Sequence, residues 1–141
     1  MAQRILVCFD EARSGPRVLA AAKRLSRQLK LPLVVVHVRT PDGGISGYYD
    51  GLFRDDLRRI EELFGGQSQQ DLLFVREYFG GERQLPRIMA MNGDPAQVIL
   101  RELASGDYAL VVIGTKDGRE TGAVGRAVIA GSPADVYVVK R

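Results

Sequence analysis

The chemistry this chain can do is concentrated in residues 111–126, Val111-Val112-Ile113-Gly114-Thr115-Lys116-Asp117-Gly118-Arg119-Glu120-Thr121-Gly122-Ala123-Val124-Gly125-Arg126. An apolar run ends in a glycine-rich, cationic loop, and a helix-like segment follows. Glycines let backbone N–H groups approach a ligand closely, and a helix N-terminus adds partial positive charge. Lys116, Arg119 and Arg126 add full charges. The combination suits a phosphate-bearing ligand, above all a nucleotide. The bland alternatives are a sharp strand-to-helix turn for the glycines and solvated charge for the cations, and a lone glycine-rich loop is weak evidence.

Other residues offer less. Asp10 closes an apolar run, where it can accept hydrogen bonds from a ribose hydroxyl or an adenine amino group, or simply cap the following helix. His37 is the only histidine, so a histidine-rich metal site is excluded, and its place on an apolar segment fits a satisfied structural residue. Asp55, Asp56, Glu61 and Glu62 fall on one helical segment and read as solubility. No Cys/His or Ser/His/Asp constellation, Walker A sequence or early G-x-G-x-x-G motif is present, so the chain is expected not to be an enzyme.

A regular scaffold must position the loop. Ile5 to Phe9, Leu33 to Val38, Arg87 to Met91, Tyr108 to Ile113 and Val136 to Val139 read as five strands, mostly continuous apolar runs of the kind buried on both faces. Helical periodicity lies between them. Val18, Ala22, Leu25 and Leu29 form one stripe, and Phe53, Leu57, Ile60 and Phe64 another, with Asp55–Arg59 and Arg58–Glu62 spaced as outward i,i+4 pairs. A further helix is expected from about Ser68 to Phe79. Asp94, Pro95 and Gln97 have the spacing of a capped helix start ahead of Ala96, Ile99, Leu100 and Leu103. Val124 to Ala130 reads as a short helix ended by Gly131-Ser132-Pro133. Pro41 to Asp50, with three glycines, reads as a mobile loop. Strand–helix alternation predicts a single-domain α/β protein over residues 1–141, an open parallel sheet with helices on both faces. Ligands of such sheets sit beyond the carboxyl ends of the strands.

Composition narrows the class. At 141 residues, 45% hydrophobic and 26% charged, the chain is an ordinary globular domain. A net charge of +3, spread along the chain, gives no argument for nucleic acid. Cys8 has no partner for an internal disulfide, which fits a reducing compartment. With no signal-peptide pattern and no apolar stretch of membrane-span length, a cytoplasmic protein without membrane association is expected.

Five segments in order resemble the universal stress protein family. They are Arg4-Ile5-Leu6-Val7-Cys8-Phe9-Asp10, Val36-His37-Val38, Gly93-Asp94-Pro95-Ala96 with Ile99-Leu100, Val112-Ile113-Gly114-Thr115, and Ala134-Asp135-Val136-Tyr137-Val138-Val139. The resemblance implies five parallel strands in the order 3-2-1-4-5, a stress-response or regulatory role, a homodimer through the last strand and, in one branch, ATP binding. That branch carries G-x-x-G, nine residues, then Gly-Ser or Gly-Thr. Here Asp117 stands where the second glycine is expected, Gly118 comes one residue late, and Gly125-Arg126 is the best positional match for Gly-Ser. The arginine can grip a phosphate bidentately or fill the space one would occupy. The candidate site is therefore Asp10, Val36, Val38, Gly114, Thr115, Gly118, Gly122, Gly125 and Arg126, holding ATP or another adenine nucleotide. Two alternatives stand beside it: a family member without nucleotide that works through signalling protein partners, and a nucleotide phosphate-ester hydrolase.

Overall fold

The computed structural model describes residues 3–9, 15–39, 47–50, 53–64, 66–81, 85–115 and 121–140. Its elements run β1 (Arg4–Cys8), α1 (Pro16–Leu29), β2 (Leu33–Arg39), β3 (Gly47–Asp50), α2 (Arg54–Phe64), α3 (Gly66–Tyr78), β4 (Arg87–Asn92), α4 (Pro95–Ser105), β5 (Tyr108–Gly114), α5 (Ala123–Gly131) and β6 (Asp135–Val139). They form one sheet of order β3-β4-β2-β1-β5-β6. The five strands expected from the apolar runs are β1, β2, β4, β5 and β6, all parallel and in the expected order.

The sixth strand is the difference. Gly47 to Asp50, inside the segment read as a loop, pairs antiparallel with β4, with Tyr49 opposite Ile88. Four residues beside a glycine-rich stretch carry no periodicity of their own. Pairing with β4 creates this strand, and Tyr49 gains burial against the core. Residues 40–46 lie outside the described ones.

Alternation along the strands divides the interior in two. Ile5, Val7 and Phe9 meet Val18, Leu19 and Ala22 of α1, Ile60 of α2, and Leu72 and Val75 of α3 on one face. Leu6, Val34 and Val36 meet Ile99 and Leu103 of α4 and Val128 of α5 on the other. Each fully buried aliphatic side chain contributes about 1.5–3 kcal/mol, so both helix layers hold the sheet between them.

The helix boundaries follow their chemistry. Gly15 and Pro16 open α1. Asp94 caps α4, its carboxylate accepting from the Gln97 N–H at 3.0 Å. Ser132 closes α5, its N–H donating to the Val128 carbonyl. Some side chains depart from their expected stripe. Leu29 is half exposed at the end of α1, and Phe53, one residue before α2, is 70% exposed. Val98 is buried, while Ala96 and Leu100 are only partly covered. Asp55 pairs with Arg58 at 3.3 Å, one residue nearer than the expected Arg59.

A cleft between the ends of β1 and β5

Strand order puts β2 and β5 on opposite sides of β1, so the chain leaves these strands in opposite directions at their carboxyl ends. A cleft of about 410 Å3 opens there, on the face covered by α4 and α5. Cys8 and Phe9 line it from the end of β1, Val36 and Val38 from β2, and Ile113 and Gly114 from β5. Pro95 and Ile99 of α4 form one wall. Gly122, Ala123, Val124 and Gly125, the start of α5, form another.

The two helix N-termini at this cleft differ. The α4 start is neutralised by its own Asp94 carboxylate. The α5 start has Gly122 at the cap position and no side-chain cap. The first intrahelical bond of α5 runs from the Arg126 N–H to the Gly122 carbonyl at 3.0 Å. The N–H groups of Ala123, Val124 and Gly125 precede it, in the turn that has no helical acceptor. Among the described residues no carboxylate caps the α5 start, so of the two helix ends its donors and the positive end of its dipole are the better suited to face an anion.

Gly125 has a second reason to be glycine. A Cβ built on it falls 2.9 Å from Thr121 Cβ and 3.5 Å from Ile113 Cδ1. The helix can sit this close to β5 and to the loop end only without a side chain there.

Of the nine expected site residues, the cleft gathers Val36, Val38, Gly114, Gly122 and Gly125. Thr115 is buried, and its N–H donates to the Val139 carbonyl at 2.9 Å, so its backbone ties β5 to β6. Arg126 is exposed and outside the lining, with its N–H already used by the helix. Any contact from it to a ligand comes through the guanidinium. Asp10 and Gly118, with Lys116 and Arg119, lie outside the described residues. Cys8, Phe9, Pro95, Ile99, Ile113, Ala123 and Val124 line the cleft but were not among the expected site residues. Strand alternation could have placed Cys8, which shares the face of Leu6.

His37 faces away from the cleft. It is buried, with Nδ1 3.2 Å from the Phe9 carbonyl oxygen and Nε2 3.1 Å from Ser68 Oγ. A carbonyl only accepts, so Nδ1 carries a proton, and in the neutral ring Nε2 accepts from the Ser68 hydroxyl. Ser68 has no exposed surface, and the position an orienting carboxylate would take is filled by a backbone carbonyl. The pair is a structural clamp rather than a nucleophile and its base. Among the described residues no group of His, Cys, Asp and Glu could hold a metal ion, and no helix is long and apolar enough to cross a membrane.

The fold has many solved counterparts. A universal stress protein from Archaeoglobus fulgidus superposes with a TM-score of 0.70 at 19% identity, over 99% of this chain and 100% of that one. A structure of the universal stress protein from Archaeoglobus fulgidus in complex with dAMP gives 0.68 at 20% identity, over 98% of each chain. A universal stress protein family member from Arabidopsis thaliana with AMP bound gives 0.65 at 14% identity, over 99% of this chain and 92% of that one. Comparison with curated protein sequences returns no match. Residues 1–140 match the model of the Universal stress protein family, and the chain belongs to that family.

Proposed function

We propose that this protein binds an adenine nucleotide in the β1–β5 cleft and acts as a cytoplasmic stress-response regulator rather than an enzyme. The observation that carries the reading is the uncapped start of α5, which turns its first N–H groups toward a cleft lined by Val36 and Val38. Solved relatives with dAMP and AMP support the choice of an adenine nucleotide. In this reading the phosphate meets the N–H groups of Ala123 to Gly125, with Arg126 reaching it from the rim. The nucleoside lies against Val36 and Val38, and Asp10 meets the ribose or base. The loop residues Gly114, Thr115 and Gly118 shape the phosphate end. Two copies pair through the exposed edge of β6, where Val138 is 38% exposed.

The lining also favours a second reading. Val36, Val38, Ile99, Ile113 and Val124 make the cleft largely apolar, which suits a family member that works through a protein partner without nucleotide. Mass spectrometry of protein denatured straight from purification, followed by calorimetry with AMP, ATP and GMP, separates the two. A retained adenine nucleotide, or heat with AMP and ATP above that with GMP, supports the first. No heat with any of them overturns it.

A further inference from the structure

A second concavity, of about 660 Å3, lies at the opposite end of the sheet, beside the amino ends of β2 and β4. Its floor is Leu31, Pro32, Leu33 and Phe79, and its lip is Leu85, which is 45% exposed. Lys23 and Arg27 of α1, spaced i,i+4 on one helix face, stand along one side, with Lys30 just past the helix end beside them. Among the described residues, no carboxylate lines it. The volume lies within the range of small-molecule clefts, and the arrangement, an apolar body with a few placed charges, is theirs as well.

Two features argue for a built cationic wall over an ordinary solvated helix face. Lys23 is held in place, its ammonium 5.3 Å from the Tyr78 ring centroid, and Arg27 also has contacts within the chain. Lys30 adopts φ 56°, ψ 44°, and is the one non-glycine residue at positive φ among the described residues. The helix end there is closed by Ser26, whose carbonyl accepts from the Lys30 and Leu31 N–H groups and whose hydroxyl donates to the Leu31 carbonyl. Glycine is the usual occupant of such a position. A lysine there strains the backbone and sets a cation on the rim of an apolar hollow.

We propose that this hollow binds a small amphipathic anion, an apolar body of roughly alkyl or aryl character carrying one carboxylate or phosphate. The apolar part lies on Leu31, Pro32 and Leu85, the lining side chains that keep exposed surface, and the anionic end meets Arg27 and Lys30. The site is separate from the nucleotide cleft and does not depend on it.

Decanoate is the probe, with decanol as its uncharged counterpart, followed by calorimetry and by amide chemical shifts. Saturable decanoate binding is expected, at least about tenfold tighter than decanol, since a charge-assisted contact carries about that factor. Shifts should centre on Leu31, Leu33 and Leu85, and saturating AMP should leave the affinity unchanged. Arg27→Glu should abolish binding. Lys30→Gly is the decisive variant, because glycine suits the backbone there: its melting temperature should hold or rise while decanoate affinity falls about tenfold. No saturable heat, equal affinity for decanol, unchanged affinity in Lys30→Gly, or shifts centred on Val36 and Val38 would each overturn the proposal.

Discussion

His37 binds Phe9, the residue just after β1, to the helical layer: its Nδ1 lies 3.2 Å from the Phe9 carbonyl oxygen, while Nε2 meets Ser68 on α3. Phe9 is also fixed by its N–H to the Val36 carbonyl and by a stacked contact with Phe74, centroids 6.2 Å apart. Phe9 lines the cleft, so the clamp sets the position of one cleft wall from behind the sheet. Replacing His37 by Leu leaves the Phe9 carbonyl and the Ser68 hydroxyl buried without their partner. The expected loss is about 1–3 kcal/mol per orphaned group, read from urea unfolding, and Ser68→Ala should cost less because it orphans only Nε2. A stability unchanged in His37→Leu would show that neither bond contributes.

Gly125→Ala tests the close approach of α5. The added methyl meets Thr121 Cβ at 2.9 Å, a contact that forces the helix or the loop end to move. Thermal melts should show a destabilisation of about 1–3 kcal/mol, the usual range for overpacking. Nucleotide affinity, if the cleft holds one, should fall with it.

Arg126→Ala separates a phosphate contact from a solvated side chain. AMP should bind about tenfold more weakly to the variant, the value of one charge-assisted contact, while adenosine affinity stays the same. Equal AMP affinity in parent and variant removes Arg126 from the site.

The Tyr49 phenol makes stability fall on the alkaline side. Burial raises its phenol above the ordinary value; Asp56 pushes the same way and Arg59 opposes. The folded state therefore prefers the neutral phenol. Its contribution is complete below the ordinary value of about 10 and is lost as pH rises through the raised one. Urea unfolding between about pH 9 and pH 11 should show a steeper decline for the parent than for Tyr49→Phe. Parallel curves would mean the phenol has no such effect.

Val138→Lys tests the edge of β6. If two copies pair there, the charge should shift the light-scattering mass toward the monomer. A parent protein that is monomeric at high concentration rejects the pairing.

Much of the fold could be read in the chain because apolar runs such as Ile5 to Phe9 and Tyr108 to Ile113 are short, continuous and bounded by turn residues, the pattern of strands buried between two helix layers. β3 was not legible, since Tyr49 becomes a strand residue only through Ile88 across the sheet. Phe53 matched the helical stripe by spacing but falls before the helix begins, so periodicity gave it a core position it does not have. In the cleft, Val36, Val38 and the glycines could be found because strand ends and glycine loops announce themselves. Ile99 could not, because its place in the cleft wall is decided by how α4 packs on the sheet. The role of the Arg126 N–H needed the first turn of α5 to be placed to within one residue.

The two margins of the sheet are unlike. At one, four residues of β3 run against the direction of β4 and leave only a short border; at the other, β6 lies open along its length. A sheet that can be extended from one side alone has a self-limiting stoichiometry. If two copies pair through β6, that border is used up in the pair, and among the described residues only the short β3 edge is left to recruit a third copy.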